Sequence, residues 1–297
     1  MTTSAGFPPT TGYRARVADF GVRSSTGRLR WAAVRCPAVT GDFAGAGWRL
    51  PDPQRLLAQH DVFSDTLAGL GVSVSVLDAT EGEVDACFTY DPLMVTGSGA
   101  VRFRAAKPAR AAEGHSLAAD LANLGVPISA TLTPPAVADG GDFCWLARDL
   151  VVGARSYRTN QAAHDQLREV LAAEGQRLST VDMPHDRGPA HVLHLMSCVS
   201  PVADDLAVVF EPIAPVPLLQ LLDELGIARV PVDPDEYETL ACNVLAVAPG
   251  VVVMFDGNPR TRRALEARGV EVHTVVADEL AKGDGGPTCL TRPLLRD

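Results

Sequence analysis

No run of 18 or more apolar residues occurs in the chain, which excludes a membrane-spanning helix. Residues 1–12 lack the basic stretch followed by an apolar one that a secretory leader needs, so none is expected. Positive charge is also short: 26 Lys and Arg stand against 36 Asp and Glu, a formal net charge of −10. Nucleic-acid binding wants a basic face, so that class of partner is excluded. A small cation would instead be drawn to such a surface. The six cysteines, at 36, 87, 144, 198, 242 and 289, include no Cys-x-x-Cys pair. Their spacing suits neither a zinc ribbon nor a disulfide framework. Most lie in apolar, strand-like stretches, and a reduced, cytoplasmic setting is expected. What remains is an ordinary globular composition, 46% hydrophobic and 21% charged over 297 residues, enough to bury a sizeable core.

Residues 1–30 are rich in Gly, Ser, Thr and Pro and read as an extended or disordered arm, with one domain over 31–297. Within that domain a unit recurs: a short strand with a polar residue, a tight turn, a more apolar strand, then a helix-like segment. The paired strands are read at 85–95 and 100–103, 140–146 and 150–153, 191–199 and 206–210, and 240–246 and 251–255. Cys289 opens a short closing strand. Apolar residues at helical spacing predict helices over 160–173, 217–225 and 260–268. Corresponding positions Asp85, Asp142, His194, Asn243 and Cys289 lie 57, 52, 49 and 46 residues apart. A period near 50 fits radial repetition or stacking, and a plain α/β sheet with coincidental spacing is the alternative. Radial repetition is favoured because it brings the polar residue of each first strand to a common centre.

Cys289 follows Gly283-Asp284-Gly285-Gly286-Pro287-Thr288. A glycine-rich turn lets the backbone approach a ligand closely. A thiol held there is a candidate nucleophile if a histidine and an anion-binding environment lie near. The plainer reading is a small buried strand residue.

Taken in order, Asp85-Ala86-Cys87-Phe88-Thr89-Tyr90-Asp91, Lys107-Pro108-Ala109-Arg110-Ala111-Ala112-Glu113, Asp139-Gly140-Gly141-Asp142, Arg158-Thr159-Asn160, Leu193-His194-Leu195 and Asp284-Gly285-Gly286-Pro287-Thr288-Cys289 resemble the dimethylarginine dimethylaminohydrolases. These are guanidino-group-modifying enzymes of the superfamily that includes arginine deiminases and amidinotransferases. The resemblance runs from about Trp31 to the C-terminus and implies a five-bladed, pseudo-symmetric α/β propeller. It implies no cofactor and no metal, a small guanidino substrate, and leaves a homodimer open. By motif position it makes Cys289 the nucleophile and His194 the acid and base. Asp91 and Asp139 would grip the guanidinium, Arg110 and Arg158 a substrate carboxylate, and Asp85 would lie near the α-amino group. Carboxylates suit that grip because short charge-assisted hydrogen bonds orient the group and localise its charge. Bidentate arginine likewise suits a carboxylate.

His191 competes with His194, but residues three apart in a strand face opposite sides, and the Leu-His-Leu match selects His194. His60, His115, His164, His185 and His273 read as surface or packing residues. No further ligand pattern supports a metal on the pair.

Two departures bear on the substrate. Deiminases and amidinotransferases carry an aspartate two residues after the histidine, where this chain has Met196. An apolar neighbour there favours a methylated guanidine. Tyr90 stands where many dimethylaminohydrolases have a glutamate. Residues 41–48 read as a lid hinged on glycines. A binding module without turnover is the alternative class, disfavoured because binding alone needs no thiol.

Overall fold

The computed structural model describes residues 19–191 and 193–297, and its repeated unit is a three-stranded sheet backed by a helix. In chain order the elements are β1 (Leu29–Arg35), α1 (Phe43–Ala46), α2 (Pro53–Gly69), β2 (Ser73–Leu77), β3 (Leu93–Val95), β4 (Ala100–Arg102), α3 (Glu113–Asn123) and β5 (Ile128–Thr131). Then come β6 (Phe143–Ala147), β7 (Leu150–Arg155), α4 (Gln161–Ala173), β8 (Arg177–Asp182), β9 (Val199–Ala203), β10 (Leu206–Val209), α5 (Val216–Glu224) and β11 (Ala228–Pro231). The last are β12 (Leu245–Ala248), β13 (Val251–Phe255), α6 (Pro259–Glu266), β14 (Glu271–Val275) and β15 (Arg292–Arg296). They form five three-stranded sheets. In four of them the first two strands pair antiparallel and the third returns through a helix to lie parallel to the second.

The fifth sheet closes the ring. There β15 pairs antiparallel with β1, placing Leu29 opposite Arg296 and Ala33 opposite Arg292, while β2 lies parallel on the other side of β1. The chain's end therefore supplies the first strand of a module whose other two strands open the domain. Radial repetition of this kind leaves only the short edges of three-stranded sheets. The result is the five-bladed α/β propeller.

Local chemistry explains the units. In α4 the Asn160 side chain caps the start by accepting from Ala163 N, and Ala163, His164, Leu167 and Leu171 form the buried stripe. The helix gives way to Gly175 at φ 72°. The second strands β4, β7, β10 and β13 are almost wholly buried, as middle strands under a helix must be.

The first strands differ from the expectation. They are shorter and begin later, and the polar residues fall on tight turns just ahead of them. In two of the modules the turn N–H groups are claimed by side chains instead of a ladder: Gly141 N donates to Asp91 and Leu195 N to Asp142. Likewise β15 starts at Arg292, so Cys289 lies in the preceding turn and opens no strand.

Of the expected arm, residues 1–18 lie outside the described residues. Residues 19–28 cross the end of β15, where Gly21 N donates to Leu294 O at 2.8 Å and Arg296 N to Gly21 O at 3.0 Å. Leu29 and Arg30 already belong to β1. Among the described residues no helix is long and apolar enough to cross a membrane.

Candidate active site

At one end of the propeller the turns ahead of the first strands converge. A single helical turn, Val84–Cys87, carries Asp85, and the bend after it carries Asp91. Asp139 stands just ahead of the turn Gly140–Asp142, and His194 just ahead of the turn Leu195–Ser197. Asn243 and Cys289 occupy the corresponding turns before β12 and β15. The glycines here make room for neighbours: a Cβ on Gly141 would lie 2.5 Å from His194 Nδ1, and one on Gly286 would lie 2.5 Å from Asn243 Cγ. The imidazole thus packs against bare backbone.

Asp139 Oδ2 lies 3.3 Å from His194 Nε2 and 3.5 Å from an Arg158 guanidinium nitrogen. Asp91 accepts from Gly141 N at 2.9 Å and from Arg110 at 2.7 Å. Cys289 Sγ accepts from the Asn243 side-chain amide at 3.1 Å, and the same Asn243 accepts from Thr288 N at 3.0 Å. Tyr90 N donates to Cys289 O at 3.1 Å, tying the Asp91 bend to the cysteine turn.

The electrostatics follow from that crowding. Burial would lower the His194 pKa, but Asp91, Asp142 and Asp139 outweigh it and hold the imidazole up at about 9. Burial, then the Asp91 charge, pushes the Cys289 thiol up to about 11, with the Gly286 and Asn243 N–H groups offsetting only part. Burial opposes the Asp91 charge, yet Arg110 and His194 win and bring that carboxyl down to about 2. Asp142 is pushed up to about 6, first by burial and further by Asp139. At neutral pH the unliganded site holds a neutral thiol, an imidazolium and an ionised Asp91.

Asp91, Asp139, His194 and Cys289 are therefore brought together. Arg158 borders them, its side chain 13% accessible. Arg110 faces inward: Nε and one terminal nitrogen grip Glu113 at 2.7–3.0 Å and the other holds Asp91. Asp85 already has two partners, Trp48 Nε1 at 2.8 Å and Lys107 Nζ at 2.7 Å.

Other expectations change. His191 is exposed in a loop, so strand alternation is not what separates it from His194. Met196 sits on a tight helical turn, and two residues along such a turn do not share a side. It is buried beside Tyr90 and Leu195. The Tyr90 hydroxyl donates to Phe143 O at 3.2 Å. The presumed lid is seated: α1 is capped by Asp42, and Trp48 stacks on Phe88 with ring centroids 5.4 Å apart.

Asn243, Asp142, Trp48 and Lys107 were given no role from the sequence. The repeat did place Asn243 and Asp142 in register with Cys289, a signal that could have found them. Among the described residues, no group of three or more His, Cys, Asp or Glu is arranged to hold a metal ion.

A family model for arginine deiminase matches residues 218–296, which include Asn243 and Cys289. The arginine deiminase of Listeria welshimeri is 29% identical over 251 residues, covering 71% of this chain and 61% of that protein. That of Mycobacterium marinum is 51% identical over 55 residues, 18% of this chain and 14% of that one. The chain thus spans about six-tenths of the length of its Listeria relatives. Among solved structures, the dimethylarginine dimethylaminohydrolase of Pseudomonas aeruginosa, a cysteine-to-serine mutant complexed with citrulline, superposes with TM-score 0.75 at 23% identity. The match covers 91% of this chain and 100% of that one. The product-bound N-terminal domain of a cyanobacterial arginine dihydrolase matches with TM-score 0.75 at 18% identity, over 89% and 98% of the two chains. The chain has the α/β propeller fold of these guanidino-modifying proteins, and its sequence is similar to the arginine deiminases.

Proposed function

We propose that the protein is a cysteine-dependent hydrolase acting at the guanidinium carbon of an arginine-like substrate, converting an N-methylated arginine to citrulline and an alkylamine. The observation that carries this is the convergence of the turns: Asp139 lies 3.3 Å from His194, and the Asp91 bend is tied to the cysteine turn through Tyr90 N and Cys289 O, so the Asp91 charge bears on both Cys289 and His194. A guanidinium held between Asp91 and Asp139 would offset that charge and lower the thiol pKa where it is needed. The thiol releases its proton to solvent as the substrate binds, and the thiolate adds to the guanidinium carbon. The His194 imidazolium gives its proton to the leaving nitrogen, the amine departs and an S-alkylthiouronium remains. Neutral His194 next takes a proton from water, whose oxygen attacks the same carbon. The C–S bond breaks, the hydroxyl proton passes to the departing sulfur, and the ureido product leaves. Arg158 would hold the substrate carboxylate. The likeness in fold to a dimethylarginine dimethylaminohydrolase supports a methylated substrate.

A second reading, hydrolysis of free arginine to citrulline and ammonia, is favoured by the match of residues 218–296 to the arginine deiminase model. The test is to incubate the protein with arginine, monomethylarginine, asymmetric dimethylarginine and agmatine and assay ureido product. Higher kcat/KM for the methylated arginines is expected. A preference for arginine would leave the chemistry standing and overturn the substrate, and no product from any of the four would overturn both.

A further inference from the structure

Where the modules meet beneath the cysteine turn, the packing leaves a cavity of about 30 Å³. All five modules contribute to its wall, among them Tyr90, Phe143, Met196, Val244 and Arg292. Two charged side chains line it, Arg292 and Arg296, the first and last residues of β15. Four apart on a strand, they share a face. They are 3% and 6% accessible.

Among the described residues neither forms an ion pair with a carboxylate. Arg292 donates to Tyr90 O at 3.0 Å and to Leu93 O, and its guanidinium carbon lies 4.1 Å from the Tyr90 ring centroid. Arg296 donates to Gly27 O at 2.6 Å and Ala246 O at 2.7 Å. The Nε of each is buried without a hydrogen-bond partner among the described residues. Residues 1–18, outside the described region, contain no Asp or Glu that could supply one. The other two buried arginines among the described residues are treated differently: Arg35 pairs with Asp120 at 2.6 Å, and Arg110 with Asp91 and Glu113, each at 2.7 Å.

Two unpaired guanidinium charges at a protein's centre are costly, and arginine does not escape by losing its proton at physiological pH. Burial pulls Arg296 down to about 10, still cationic at neutrality. We propose that this cavity is an internal anion site, in which one monovalent inorganic ion of chloride size sits against Arg292 and Arg296. The volume has room for one small ion or water and is too small for a tetrahedral oxyanion or a carboxylic acid. The site is independent of the proposed chemistry, although it adjoins it: Arg292 lies three residues past Cys289 and holds the carbonyl of Tyr90, next to Asp91. Occupancy would stiffen the bend that carries Asp91.

The test compares melting temperature in potassium chloride, potassium bromide and potassium gluconate at equal ionic strength. A saturable rise of several degrees is expected with chloride and bromide and none with gluconate, because an ion that binds only the folded state stabilises it. Arg296→Met should melt at a temperature independent of the anion. Should that variant fail to fold, bromide-soaked crystals of the wild-type protein give the answer directly, through an anomalous peak between the two guanidinium groups. Equal melting temperatures in chloride and gluconate, or a cavity without a bromide peak, would overturn the proposal.

Discussion

Two neighbouring modules each bring an aspartate and an arginine to the candidate site, and they use them differently. In one, Arg110 is buried and locked between Asp91 and Glu113, so its donors are spent within the protein. In the other, Arg158 reaches Asp139 at only 3.5 Å and keeps part of its side chain open. The difference comes from one residue. Glu113, three positions after Arg110, takes the guanidinium inward, whereas Arg158 has no second carboxylate among its ion pairs. Equivalent positions in a repeat therefore do not carry equivalent roles. Arg110 is spent on holding Asp91, while Arg158 keeps part of its side chain open for the substrate carboxylate proposed above.

The comparison breaks most visibly at Arg110. Arg110→Ala would leave Glu113 buried without its ion-pair partner and Asp91 with only the His194 imidazolium near it. A destabilisation of about 3–5 kcal/mol is expected, read as a lower urea midpoint, together with loss of turnover. A stable variant with only a raised KM would instead give Arg110 the carboxylate-binding role.

His194, from the next module, feels both Asp91 and Asp139. Its pKa is raised from 6.5 to about 9, so the folded state binds the proton more tightly than the unfolded chain. The stabilisation, roughly 3 kcal/mol by the size of the shift, is complete below about pH 6.5 and is lost as pH rises through about 9. Urea titrations across that window should show the decline in the wild type and a flatter profile in His194→Gln.

Arg158→Ala sharpens the contrast with Arg110. It should raise KM for arginine substrates by roughly ten- to a hundred-fold, about 1.5–3 kcal/mol, with little change in melting temperature. Agmatine, which lacks the carboxylate, should be indifferent. Equal losses for both ligands would assign Arg158 a structural role. The smallest effect is expected outside the pair, at Asn243→Ala. It removes one N–H from the sulfur and leaves Thr288 N without its acceptor. A fall in kcat of roughly fivefold, about 1 kcal/mol, is expected with KM unchanged.

Much of the architecture was legible because a propeller repeats. The spacing of Asp85, Asp142, His194, Asn243 and Cys289 marks one turn per module, and the middle strands and helices carry clear apolar patterns. The turns were misread as strands because three or four residues cannot separate an alternating strand from a tight helical turn. The commitment of Arg110 was hidden although Glu113 lay in the same motif, since only burial decides whether an ion pair is structural. The seating of Trp48 on Phe88 and Asp85, and the isolation of Arg292 and Arg296, depend on contacts between distant parts of the chain. No local pattern encodes them.

The central claim is that Cys289 forms a covalent bond with the guanidinium carbon. Rapid acid quenching of the wild-type protein during turnover of asymmetric dimethylarginine, followed by peptide mass mapping, tests it most directly. An S-alkylthiouronium adduct is predicted on the peptide carrying Cys289, with neither adduct nor ureido product from Cys289→Ser. Citrulline formed by Cys289→Ser at more than a few per cent of the wild-type rate would contradict the account.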